Sequence, residues 1–147
     1  MDMKSFTCKV LGPGYGVIIG GCVIENAVFG TTWFQLGTII GFLWIAVGLV
    51  GLMLAWRELK KSDGYMLVQT GPYAVSRNPV MAANLFGVMP GLCLLLNTNL
   101  GILGIAASAY LFFKHVTLEE MALEDRFGET YQAYRERVGR LLPASLF

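Results

Sequence analysis

The chain reads as an all-α membrane protein: four transmembrane helices with short amphipathic helices on the cytoplasmic side at its C-terminal end. Three observations predict this. Of 147 residues, 55% are hydrophobic and only 14% charged, against roughly 25% charged in an ordinary soluble domain, and the mean hydropathy is +0.58. Four apolar stretches approach the roughly 20 residues that a helix needs to cross the hydrocarbon core. All eleven basic residues lie before Val10, between Arg57 and Arg77, or from Lys114 onward. The positive-inside rule then puts both termini and the 57–78 loop in the cytoplasm. Residues 1–147 are expected to form one multi-pass integral-membrane domain in the lipid bilayer, most simply that of a prokaryotic inner membrane given so compact a chain. A net charge of +1 gives nucleic acid no electrostatic footprint.

The first span, about 10–29, follows a basic start, MDMKSFTCK, that lacks a small-residue cleavage site before a polar sequence, so it is expected to be retained. It carries Glu25 and is rich in glycine (Gly12, Gly14, Gly16, Gly20, Gly21), which permits close helix contact but leaves the oligomeric state open. An acid within a span is a functional candidate by default, although Glu25 lies near the outer end and a reach to the headgroups is the competing reading. The second span, 36–56, has no charge at all, the third, 79–96, contains Asn84 and Pro90, and the fourth, 100–118, ends on Lys114 and His115. Cys8, Cys22 and Cys93 show no close spacing and read as small buried apolar residues, neither a disulfide frame nor a metal site. After the fourth span, Leu123, Phe127, Tyr131, Tyr134 and Val138 recur at steps of four and three between charged residues, the pattern of an amphipathic helix. Gly128 is expected to divide it in two. No repeat of 20 to 50 residues is visible.

The polar lip of the third span raises the question of function. In TGPYAVSRNPVMAANLFG, residues 70–87, Pro79 suits the first turn of a helix, where its missing N–H costs nothing. Asn78 is then the natural N-cap, and the helix start offers free N–H groups to an anion. Glu119 and Glu120 fall where the fourth span leaves the membrane on the same side. They are placed to accept hydrogen bonds from ribose hydroxyls or an ammonium group. A ligand with a carboxylate, an amine, a sugar and a base matches both features, and S-adenosylmethionine is such a ligand.

Taken in order, KSDGYMLVQTGPYAVSRNPVMAANL and, after the apolar run, LEEMALEDRFGETYQAYRERVGRLLP resemble the isoprenylcysteine carboxyl methyltransferase family of integral-membrane, S-adenosylmethionine-dependent enzymes. The matching positions are Gly71 and Tyr73, Arg77-Asn78-Pro79, Glu119-Glu120 with Leu123, Phe127-Gly128 with Tyr131, then Tyr134 and Pro143, and they cover residues 58–143. The resemblance implies that Tyr65, Met66, Leu67 and Val68 run past the adenosyl group with Tyr73 flanking it. It further implies that Asn78, Pro79, Val80 and Met81 touch the cofactor at the helix start, that Glu119 with Glu120 beside it supplies the contacting acid, and that Glu58 stands where some members have a contacting Gln. The chain departs from the family in three places: Asn78 replaces a common His, Met81 a common aromatic, and His115 an Arg that in prenylcysteine-specific members pairs with the substrate carboxylate. It is also short, with four predicted spans where many members have more.

The expected chemistry is methyl transfer to a lipophilic small-molecule acceptor arriving from the bilayer, with the polar cofactor entering from the cytoplasm. Holding donor and acceptor in attack geometry supplies roughly 7–11 kcal/mol of such a barrier. Arg77 is expected to pair with Glu119 or Glu120 and tie the two helix ends together, and His115 to orient the acceptor or take its proton. Two alternatives stand beside this reading: a small four-helix transporter using Glu25, and a non-catalytic relative serving as an assembly partner. The sequence leaves open whether oxygen, sulfur or nitrogen is methylated.

Overall fold

A computed structural model describes residues 3–30, 35–62 and 65–143, and both chain ends, most of the TTWFQ connection and Asp63-Gly64 lie outside them. The described chain is helical, with no strand beyond an isolated parallel bridge between Ser76 and Gly139. Helices α1 (Met3–Phe29), α2 (Gln35–Lys61) and α5 (Gly101–Phe127) are each 27 residues long. Between α2 and α5 come a 3-10 turn, Gly71–Ala74, and a continuous run made of α3 (Pro79–Ala83), a π turn (Asn84–Val88) and α4 (Met89–Leu95). Helix α6 (Glu129–Arg137) follows Gly128.

Three helices are long and apolar enough to cross a membrane, whereas Pro79–Leu95 is a shorter apolar helix. The expected third span therefore comes out shorter than the others. Its limits are local: Pro79 opens it, and after Leu95 the chain turns through Asn97 at φ 51°. The other boundaries move outward. Helix α1 starts at Met3 with Pro13 inside it, as helices within a bilayer tolerate. Helix α5 continues nine residues past the expected end at Leu118, because nothing breaks it before Gly128, whose φ of 53° ends it. So Glu119 and Glu120 lie on α5 itself, and Leu123 and Phe127 belong to its last turns and not to a separate surface helix.

The core sits between α1, the Pro79–Leu95 run and α5, around Val10, Ile18, Met89, Phe112 and Val116. Small residues bring the backbones together, as expected where no water drives helices to associate. Ser108 of α5 donates to the Val10 carbonyl at 3.0 Å beside the contact of Gly14 with Gly104. Helix α2 packs on the Pro79–Leu95 run through Gly48 against Gly87 and Gly41 against Gly91; a Cβ on Gly87 would lie 2.6 Å from the Gly48 Cα. The π turn in that run is met by side-chain donors. Asn84 Nδ2 donates to Val80 carbonyl at 2.8 Å, Trp44 Nε1 to Phe86 carbonyl at 2.7 Å, and Tyr15 hydroxyl to Asn84 Oδ1 at 2.6 Å. Large apolar side chains such as Phe42, Val47, Met53, Leu103 and Phe113 point outward, as a lipid-facing surface requires.

Two expectations are corrected. Glu25 does not reach the headgroups: it is 6% exposed and accepts the backbone N–H groups of Asn99 at 3.1 Å and Leu100 at 3.2 Å, at the start of α5. A carboxylate there complements the positive end of the helix dipole. Of the three cysteines only Cys93 is buried; Cys22 is half-buried and Cys8 exposed, because Cys8 lies on an outward face of α1.

Candidate functional site

The end of α5 and the start of α3 meet across an ion pair. Arg77 Nη1 lies 2.7 Å from Glu120 Oε1, with the two side chains 9% and 6% exposed. Arg77 thus pairs with the second acid of the Glu119-Glu120 doublet. Glu120 is also gripped from the far side of the chain: Arg140 Nε donates to Oε1 at 3.0 Å and Arg140 Nη2 to Oε2 at 2.7 Å. This fork holds the Arg140 guanidinium above its ordinary pKa, the Glu120 hydrogen bonds being the main cause. Burying a carboxylate is costly unless it is paired and hydrogen-bonded, and two guanidiniums meet that condition here. Glu120 is therefore a tie between elements.

Beside the ion pair lies a cavity of about 460 Å³. Met66, Leu67, Val68 and Tyr73 line it from the connection after α2, Arg77 and Asn78 from the start of α3, and Glu119 and Glu120 from α5. A smaller cavity of about 40 Å³ adjoins it, lined by Pro79, Val80 and Met81 with Phe6 and Thr7 of α1, and Phe6, Tyr73, Arg77 and Asn78 border both. The larger space falls in the size range of small-molecule sites, which combine apolar walls with a few polar groups.

Four expected site residues stand differently. Asn78 occupies the N-cap position, yet its side chain does not cap. Its Nδ2 donates instead to the Arg140 carbonyl at 3.2 Å. Glu58 does not line the larger cavity; it accepts from Lys61 Nζ at 2.6 Å and from the Thr70 hydroxyl at 2.9 Å. Its side chain also fills the space a Cβ on Gly71 would take, 2.8 Å from Glu58 Cγ, so Gly71, at φ 60°, is where the chain passes closest. Tyr65 is 86% exposed and lines neither cavity. His115 is half-buried, one helical turn before Glu119, and hydrogen-bonds the Leu111 carbonyl through Nδ1 at 2.9 Å; it borders neither cavity. A carbonyl only accepts, so Nδ1 is the donor in this hydrogen bond.

Helix α6 closes over the larger cavity. Tyr131 and Tyr134, 1% and 3% exposed, face it and pack with Val138 against Leu67, Leu123 and Phe127. The Tyr134 hydroxyl donates to the Tyr73 carbonyl at 2.7 Å. Burial raises the phenol pKa of Tyr73 and Tyr134; a negative charge on Tyr134 would add to the shift of Tyr73, and one on Tyr131 to that of Tyr134. Both therefore remain protonated donors at neutral pH.

Sequence reasoning did not single out Phe6, Leu59, Ser62, Val116, Arg126 or Arg140. Val116 was within reach of it, since Val116, Glu119, Glu120, Leu123 and Phe127 form one stripe at helical spacing along α5. For Arg140, 20 residues from Glu120 and beyond the Gly128 break, no local pattern points to the pairing. No family model, curated protein or solved structure matches the chain.

Proposed function

We propose that the protein is an S-adenosylmethionine-dependent membrane methyltransferase, similar to the isoprenylcysteine carboxyl methyltransferases, that acts on a lipophilic small acceptor. One observation carries the reading: the start of α3 and the end of α5 converge, through Arg77 and Glu120, on one nucleoside-sized space bordered by Met66, Leu67, Val68, Tyr73, Asn78 and Glu119. Its lining fits the cofactor in kind. Leu67, Val68, Leu123 and Phe127 offer apolar walls for a base, and Glu119 and the Arg77 region offer charge for the ribose and amino-acid ends.

S-adenosylmethionine held there would supply an electrophilic methyl on a sulfonium, transferable to the acceptor's nucleophile with a neutral thioether as the leaving group. Such a displacement asks the protein for position and dryness more than for covalent help. Glu119 holds the polar end of the cofactor, and Tyr131 and Tyr134 exclude water from above. The acceptor approaches at the border of the two cavities, beside Arg77 and Asn78. His115, one turn before Glu119 along α5, borders neither cavity, so the positioning of the acceptor falls to Arg77 and Asn78.

The same geometry supports the four-span topology with both termini cytoplasmic. Arg77 and Glu120 pair at one end of two antiparallel helices joined at the other end by residues 96–100. If α5 crosses the bilayer, its antiparallel partner Pro79–Leu95 reaches the opposite side as well, and the basic loop ends stay together in the cytoplasm of a prokaryotic inner membrane.

Calorimetry of the purified chain with S-adenosylhomocysteine tests this. Saturable binding is expected for the wild type and its loss by at least tenfold in Glu119→Ala, a carboxylate hydrogen bond contributing about 1.5–3 kcal/mol. A labelled-methyl assay on total membrane lipid and thiol pools then identifies the product by mass. Absence of binding by the wild type ends the reading.

A further inference from the structure

Residues 129–141 form a roof over the larger cavity that is joined at one end by a single glycine, tied in the middle through Tyr134 to the Tyr73 carbonyl and through Arg137 to Gln69, and fastened at the far end by Gly139 and Arg140. At the joined end, Gly128 has φ 53° and ψ −131° with nothing within 4 Å of where a Cβ would be. This backbone region is one that glycine alone adopts readily. In the middle, Tyr131 and Tyr134 seal the space below. At the far end the chain leaves α6 in extended form and lies beside the segment that opens α3. The Gly139 carbonyl accepts Arg77 N–H at 2.9 Å, and the Arg140 carbonyl accepts Asn78 N–H at 3.1 Å and the Ser76 hydroxyl at 3.2 Å. The Arg140 side chain completes the fastening with its two-pronged grip on Glu120.

The fastening points are the floor residues themselves. Arg77, Asn78 and Glu120 border the cavity, whereas Arg140 does not, so whatever Arg140 does to a ligand it does through them. Its side chain is 41% exposed while its carboxylate partner is 6% exposed. The grip is thus made between a buried acid and a guanidinium that water can reach, an arrangement that releases from the outside without stranding the acid, since Arg77 remains on Glu120.

We propose that residues 129–141 are a hinged lid over the cavity, pivoting at Gly128, and that Arg140 is the positioning residue that latches it to Glu120 and thereby sets Arg77 and Asn78. That the ligand beneath is S-adenosylmethionine rests on the preceding reading; the lid itself does not. Because the Gly139 and Arg140 carbonyls hold the backbone N–H groups of Arg77 and Asn78, opening frees those two amides while the bonds inside α6 stay made.

Amide hydrogen exchange on the full chain in nanodiscs tests it. In Arg140→Ala, exchange of the Arg77 and Asn78 amides is expected to rise together by about tenfold or more, the scale of a lost charge-assisted hydrogen bond, with residues 38–55 of α2 unchanged. Arg140→Lys, which keeps the charge and loses the fork, is expected to fall in between, and it decides the matter if the alanine variant unfolds throughout. Unchanged exchange at Arg77 and Asn78 in Arg140→Lys overturns the lid. Stopped-flow binding of S-adenosylhomocysteine gives a second readout. A loosened lid raises association and dissociation rates alike, whereas a lost ligand contact raises dissociation alone, and that second pattern overturns the latch. If the wild type does not bind the probe, the methyltransferase reading fails while the exchange experiment still judges the lid.

Discussion

At Glu25 a carboxylate inside an apolar helix is taken up by backbone N–H groups at the start of α5. Sequence alone shows the acid and its depth, and both a headgroup contact and a transport role fit that much. The partner is 74 residues away, and only the fold brings it near. Replacing Glu25 by Leu is expected to lower the midpoint of thermal unfolding in detergent by a few degrees, and by less in Glu25→Gln, which keeps one acceptor oxygen. Equal midpoints for wild type and Glu25→Leu dismiss the capping role. Asn78 teaches the same lesson in reverse. Its position before Pro79 was legible as an N-cap, but the Arg140 carbonyl, 62 residues on, claims the side chain, because local capping yields where a tertiary acceptor is within reach.

Among the elements, hydropathy located α1, α2, the Pro79–Leu95 run and α5, periodicity with Gly128 located α6, and the errors fell at their ends and in one interior. The π turn at Asn84–Val88 has no period of its own in the sequence; it is set by donors from Trp44, Tyr15 and Asn84 that converge from different helices. The glycine contacts were legible as composition and not as pairs. Gly87→Val is expected to cost about 1–3 kcal/mol, as overpacking typically does, because the new side chain would press on the Gly48 backbone, 2.6 Å from the first added atom. Gly16→Val, with nothing within 4 Å, serves as the control and is expected to leave stability unchanged. Comparable losses for the two in reversible denaturation would show that α2 and the Pro79–Leu95 run do not depend on that contact.

For the molecule as a whole, composition and the apolar stretches made the all-helical class readable, and the ordered motifs brought most of the cavity's lining to attention. Charge counting could not supply the closing of the C-terminal segment onto the Arg77 region, since Arg140 is one of several basic residues near Pro143 and nothing local distinguishes it. The topology proposed above predicts labelling patterns in a chain freed of its own cysteines. Ser62→Cys and Leu142→Cys are expected to react with a membrane-impermeant maleimide from the same face, and Asn99→Cys from the other. Reaction of all three from one face would remove the Pro79–Leu95 crossing.

That crossing has a further consequence. Its 17 residues, Pro79–Leu95, rise about 25 Å at 1.5 Å each, beside neighbours of 25 to 27 residues. Under the proposed four-span topology, a bilayer of ordinary thickness, about 30 Å of hydrocarbon, would pucker inward along that flank. Lipids beside that helix would then be deformed before anything binds, and membranes that are thin to begin with would accommodate the protein at the smallest elastic cost.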